Sequence, residues 1–183
     1  MIALRNWATL NEPMQIRQAL ESDASGIATV HVGAWQAAYR GIVPDAYLDS
    51  LSVEVRANVW RGALTRGEPE EVWIATVGSD VAGWIAFGPS REANSTATTG
   101  ELEAVYVSAQ YWGAGVGREL WLTARNRLAE RGFTTVTLWV LLENTRAIRF
   151  YRAAGFAPDP ASEKPINIGG RLLMEMRYEI SLA

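Results

Sequence analysis

Residues 105–120 read Val105-Tyr106-Val107-Ser108-Ala109-Gln110-Tyr111-Trp112-Gly113-Ala114-Gly115-Val116-Gly117-Arg118-Glu119-Leu120. The stretch spells a strand, a glycine-rich turn and the start of an amphipathic helix. Residues 102–107 are apolar-rich and β-branched, as a half-buried strand requires. Gly113, Gly115 and Gly117 then alternate, and Val116, Leu120, Ala124 and Leu128 follow as one stripe at helical spacing. Glycines ahead of a helix leave backbone N–H groups uncovered, and the positive end of the helix dipole adds to them. Such a place suits a phosphate or a pyrophosphate.

Taken alone, the glycines equally fit an ordinary tight turn. They make no Rossmann fingerprint, because the third glycine comes too early and the motif lies late in the chain. They make no P-loop either, since no Gly-Lys-Ser/Thr follows. What decides the matter lies downstream.

Residues 133–141 form a second strand, with Val136, Leu138 and Val140 alternating against Thr135, Thr137 and Trp139. Asn144 then stands where a helix N-cap belongs, and Gly155 where a left-handed C-terminal cap belongs. Between them runs N-x-x-A-x-x-F-Y-x-x-x-G-F, which puts Tyr151 seven residues after Asn144. With the strand Leu-Glu-Ala-Val-Tyr-Val and the turn Trp-Gly-Ala-Gly-Val-Gly, residues 101–156 resemble the core of the GNAT superfamily of acyl-CoA-dependent N-acetyltransferases. The family's turn is usually Q/R-x-x-G-x-G/A. Here Trp112 fills the Gln/Arg slot, and Ala114 replaces a common basic residue. Backbone amides do not depend on those side chains, so the cradle should survive with one side-chain contact fewer.

The rest of the chain is compatible with that fold. At 183 residues it has the length of one domain, with 49% hydrophobic and 20% charged residues. Residues 1–12 read as an N-terminal arm and residues 13–183 as a single N-acetyltransferase domain. The net charge of −3 gives no global electrostatic case for nucleic acid or for an anionic membrane. No apolar run approaches a membrane span, and residues 1–12 are too polar for a secretion signal, so a cytoplasmic location is expected. Without cysteine there is no disulfide, no thiolate metal site and no acyl-cysteine intermediate. With a single histidine, no metal is expected.

A first strand is expected at residues 14–19. Asp23 then caps a helix that carries Ile27, Val30, Ala34 and Ala38 on one face. His31, Trp35 and Tyr39 share another face. His31 is either a satisfied helix residue or a substrate-side proton relay. A second helix at residues 53–66 carries Val55, Val59, Trp60 and Ala63. Residues 71–77 and 81–88 form a hairpin, and residues 89–100 a polar, mobile loop. After Gly155 come a short strand, a loop with Pro158, Pro160 and Pro165, and a closing strand near residues 171–180. The expected architecture is α/β: a mixed, mostly antiparallel sheet with helices on both faces and splayed central strands that hold acyl-CoA.

The resemblance implies roles. The backbone of Val105, Tyr106 and Val107 would pair with the extended acyl-CoA arm, and one N–H would polarise the thioester carbonyl. Pyrophosphate would sit on the amides of Gly113, Ala114, Gly115, Val116, Gly117 and Arg118, with the Arg118 side chain either helping or solvated. Asn144 would touch the pantetheine arm. Tyr151 would stabilise or protonate the leaving thiolate. Glu101 or Glu103, on one face of their strand, would take the amine's proton, directly or through water. An alkyl amine with a pKa near 10 is about one part in a thousand neutral at pH 7, a cost of roughly 4 kcal/mol that a base or a dry pocket must offset. Trp35, Tyr39 and Trp60 are candidates for the acceptor wall.

The implied function is N-acetyl transfer from acetyl-CoA to a primary amine of a small molecule or peptide, by direct attack in a ternary complex; a homodimer is allowed. The alternative is a non-catalytic acyl-CoA sensor of the same fold.

Overall fold

The computed structural model describes residues 12–67 and 71–182; the expected N-terminal arm, apart from its last residue, lies outside them. The strands are β1 (Met14–Gln18), β2 (Glu71–Val77), β3 (Asp80–Pro89), β4 (Thr99–Val107), β5 (Thr135–Leu141), β6 (Ala157–Pro158), β7 (Lys164–Ile168) and β8 (Arg171–Ser181). The helices are α1 (Ala24–Ala38), α2 (Asp45–Asp49), α3 (Val53–Arg66), α4 (Val116–Glu130) and α5 (Thr145–Ala153). One sheet runs β1-β2-β3-β4-β5-β8-β6, with β7 paired to β8. Its β4–β5 pair is parallel and its other pairs are antiparallel. This is the mixed, mostly antiparallel architecture that the sequence implies.

The helical stripe of α4 explains one face. Val116, Leu120, Ala124 and Leu128 are all at most 1% exposed and pack on Ile85, Phe87, Val136 and Leu138 of the central strands. On the opposite face, Ile27 and Val30 of α1 and Ala57 and Trp60 of α3 cover Val72, Ile74 and Trp84. A third cluster joins α1 and α2 to Leu141 and to Leu173 of β8.

The pairing of β4 with β5 is short. Thr99, Gly100 and Glu101 oppose Thr135, Val136 and Thr137, and there the ladder ends. The pairing with β3 carries a bulge opposite Ala86 and Phe87, so that Leu102 and Ala104 have partners and Glu103 is the extra residue. An extra residue bends and twists its strand. Residues 102–107 of β4 thus diverge from residues 138–141 of β5, leaving a cleft between two adjacent strands of one sheet.

Several expectations need correction. Asp23 stands before α1, but its carboxylate turns back to the Leu20 N–H and to Arg17 instead of capping the helix. Of the apolar residues on the second expected helix, Val55 and Val59 are 63% and 54% exposed, and α3 packs through Ala57 and Trp60. Pro165 lies within β7 and not in a loop, at the sheet's margin, where a missing N–H is tolerated. The loop after β3 is pinned by ion pairs described below. No helix among the described residues is long and apolar enough to cross a membrane.

Candidate active site

The glycine turn lies at the open end of the cleft. Gly113 and Gly115 adopt φ values of +79° and +88°, a region that glycine enters without strain. Gly115 is the N-cap of α4 and has no side chain to fold back on the helix. The first intrahelical bond runs from the Glu119 N–H to the Gly115 carbonyl at 3.1 Å, leaving the N–H groups of Val116, Gly117 and Arg118 ahead of it. A Cβ at Gly117 would sit 3.3 Å from the Phe150 ring and 3.6 Å from Val107, so the first turn of α4 abuts both β4 and α5. Ala114 is buried in the core, and the Arg118 side chain is exposed and ion-paired to Glu119 at 2.7 Å.

Tyr151, Asn144, Tyr39 and Tyr106 meet where the cleft reaches α1 and α5. The Asn144 side chain accepts the Ala147 N–H at 3.1 Å, the expected N-cap. The Tyr106 and Asn144 side chains lie near the Tyr39 hydroxyl. Burial raises the Tyr39 hydroxyl above its ordinary range, and those two contacts oppose the rise. Burial also raises Tyr151, and nearby Tyr39 adds to it. Among the described residues the Tyr151 hydroxyl has no hydrogen-bond partner, so its proton is retained and available to a ligand. Trp35 packs on Tyr39 at 4.8 Å between ring centroids and on Tyr47 at 6.3 Å, forming an aromatic wall beside Leu141.

Trp60 does not belong to that wall. It is 8% exposed, packs edge-on against Trp84 at 4.6 Å and donates its indole N–H to His31 Nδ1 at 3.3 Å. Burial, with the charge of Arg56, depresses His31 to about 4. With its Nδ1 taken by the Trp60 indole, His31 has the contacts of a satisfied helix residue.

The two glutamates do share a face, and one cation holds both. Arg91 gives Glu101 its backbone N–H (3.0 Å), its Nε (3.1 Å) and its Nη2 (2.5 Å), and its Nη1 lies 3.0 Å from Glu103. Burial alone would raise the Glu101 carboxyl; the Arg91 hydrogen bonds and charge, with Lys164, hold it below the usual carboxylate range. The neighbouring Glu92 accepts from Trp139 Nε1 at 2.8 Å and from Arg177 at 2.7 Å, fixing the loop across β5 and β8. Arg91 escapes sequence reading because its partners lie ten and twelve residues away across a turn. The only signal was two carboxylates with an arginine nearby in sequence.

The sequence model of the Acetyltransferase (GNAT) family matches residues 34–156. The uncharacterised N-acetyltransferase YuaI of Bacillus subtilis is 32% identical over 162 residues, which is 88% of this chain and 89% of that protein. The PaiA N-acetyltransferase from Thermoplasma acidophilum, solved with coenzyme A, superposes with a TM-score of 0.70 at 22% identity, covering 89% of this chain and 98% of that one. YncA from Salmonella typhimurium, solved with acetyl-CoA, gives 0.69 at 21% identity, covering 93% and 94%.

Proposed function

The chain belongs to the GNAT family of acetyltransferases, and from that premise we propose that it transfers an acetyl group from acetyl-CoA to a primary amine by direct attack in a ternary complex. The acceptor is a small molecule or a peptide. The observation that carries the proposal is the parting of β4 and β5 beyond Glu101, with the open amides of α4 at its mouth.

An extended pantetheine arm fits the exposed edge of β4 at Val105, Tyr106 and Val107, with Asn144 beside it. Pyrophosphate fits the turn from Gly113 to Arg118. The amine nitrogen attacks the thioester carbonyl carbon, the C–S bond breaks, and the sulfur departs as thiolate. A phenol raised above 10 is a weaker acid than an alkyl thiol of pKa about 8.5. Full proton transfer from Tyr151 is therefore uphill, and its role is to donate a hydrogen bond to the developing thiolate. Glu101 is committed to Arg91 through three donors. Glu103, which shares Arg91 through Nη1 at 3.0 Å, is the carboxylate to which we assign the amine's proton, taken directly or through water. Trp35 and Tyr39 wall the acceptor side.

The test is a panel of amines with acetyl-CoA, followed by released thiol, and then single-turnover transfer by Tyr151→Phe on the best acceptor. Wild-type turnover is expected, with the variant slower by about ten- to a thousandfold at nearly unchanged CoA affinity. Equal rates would leave Tyr151 a packing residue. Tight CoA binding with no transfer to any amine would make the protein an acyl-CoA sensor.

A further inference from the structure

Trp112 and Ala114 stand where the family pattern carries polar or basic side chains, and the structure gives each another task. Ala114 packs in the core beneath α4. Trp112 lies across the glycine turn and donates its indole N–H to the Val107 carbonyl at the end of β4, at 2.8 Å. Its ring carries a guanidinium: the Arg146 carbon is 3.2 Å from the ring centroid. Arg146 comes from the first turn of α5. Phe150, one turn further along the same edge, is the side chain that meets Gly117. That edge of α5 therefore lies along the glycine turn and the start of α4.

The surroundings of this guanidinium are electrostatically adverse. It stands at the positive end of α5 and beside the positive end of α4, where dipoles favour anions. Arg146 is exposed, yet the burial it does have, with the charge of Arg149, disfavours its protonated form. Among the described residues no carboxylate pairs with it. An indole thus fixes a cation in a position that lacks a counter-charge, and a diphosphate on the turn would supply one.

We propose that Arg146, seated on Trp112, is the side-chain cation of the diphosphate subsite, replacing the basic groups missing at positions 112 and 114. Trp112 is a positioning residue that acts through Arg146. The inference rests on the acyl-CoA reading above.

The test is calorimetric binding of CoA, 3′-dephospho-CoA and pantetheine to the wild-type chain and to Arg146→Gln, Arg146→Lys, Trp112→Phe and Trp112→Ala. Arg146→Gln should weaken CoA and dephospho-CoA alike, by about ten- to a hundredfold, and leave pantetheine unaffected. It should also flatten the salt dependence of CoA binding, because one screened charge is gone. Arg146→Lys should recover part of the loss. Trp112→Phe, which keeps a ring, should stay close to wild type, whereas Trp112→Ala should approach Arg146→Gln. Wild-type affinity in Arg146→Gln overturns the proposal, as does a loss confined to CoA, which would place Arg146 on the 3′-phosphate. A wild-type chain that binds no CoA refutes the acyl-CoA reading and this proposal with it.

Discussion

Arg91 and Glu101 form the contact in this site whose removal has the most to disturb. Glu101 is 6% exposed and takes three of its hydrogen bonds from one residue, whose own side chain is 64% exposed. Losing one partner of such a pair leaves a buried carboxylate with its backbone donor alone. Solvent at Arg91 reduces the cost, so Arg91→Gln should destabilise by about 1–2 kcal/mol at pH 7, or several degrees in Tm. The sign with pH follows. A carboxyl depressed in the folded state adds stability above its unfolded pKa of about 4.3 and loses it as pH falls through the folded value. The wild-type advantage over Arg91→Gln should therefore persist from pH 7 to about 5 and shrink below it, as thermal melts across that range would reveal. Kinetics separate the carboxylates. Glu103→Gln should lower kcat/KM and flatten its acidic limb, while Glu101→Gln should chiefly lower Tm. If Glu101→Gln alone changes the pH–rate profile, the assignment reverses. Period-two alternation made the shared face of the glutamates legible in sequence. The bulge at Glu103 and the reach of Arg91 were not, because both depend on which strands and loops become neighbours.

At the scale of elements, what was legible was what repeats. The stripe from Val116 to Leu128 on α4 and the alternation in β5 are local periodicities that burial enforces, and both appear where expected. Caps with one chemical job, Asn144 and Gly155, were also readable; Gly155 has φ +98°. What failed lacked a period. The five residues of α2 are too few to show one, and β7 is an edge strand interrupted by Pro165. Val55 and Val59 imitate a buried stripe on a helix whose core contact is Trp60. The junction between β4 and α4 carries a prediction of its own. A β-branched side chain at Gly115 meets φ +88°, so Gly115→Val must either strain or rebuild the turn that orients the open amides. A loss of about 1–3 kcal/mol in stability is expected, together with at least tenfold weaker CoA binding. Full CoA affinity in a folded Gly115→Val protein, measured calorimetrically, would sink the cradle.

Across the whole molecule, the sheet is fastened to α1 and α3 through a nearly continuous aromatic layer with an imidazole inside it. His31 stacks on Tyr106 at 5.2 Å, lies 5.3 Å from Trp84 and accepts the Trp60 indole N–H. It joins both helices to β3 and β4, and so to the strand that borders the cleft. Protonation would put a charge among those rings and replace the Nδ1 acceptor by a second donor facing an indole N–H. With the folded pKa at about 4 against 6.5, the unfolded chain binds the proton first. Stability from this group is complete above pH 6.5 and falls as pH drops from 6.5 toward 4, by up to about 3 kcal/mol. His31→Gln keeps an acceptor for Trp60 and removes the titration. It should melt somewhat below wild type at pH 7.5, and the gap should close or invert near pH 4.5. The measurement is Tm against pH for both proteins in the absence of ligand. Parallel curves would mean that His31 binds its proton as readily in the folded state as in the unfolded one, and the neutral aromatic layer would have to be abandoned.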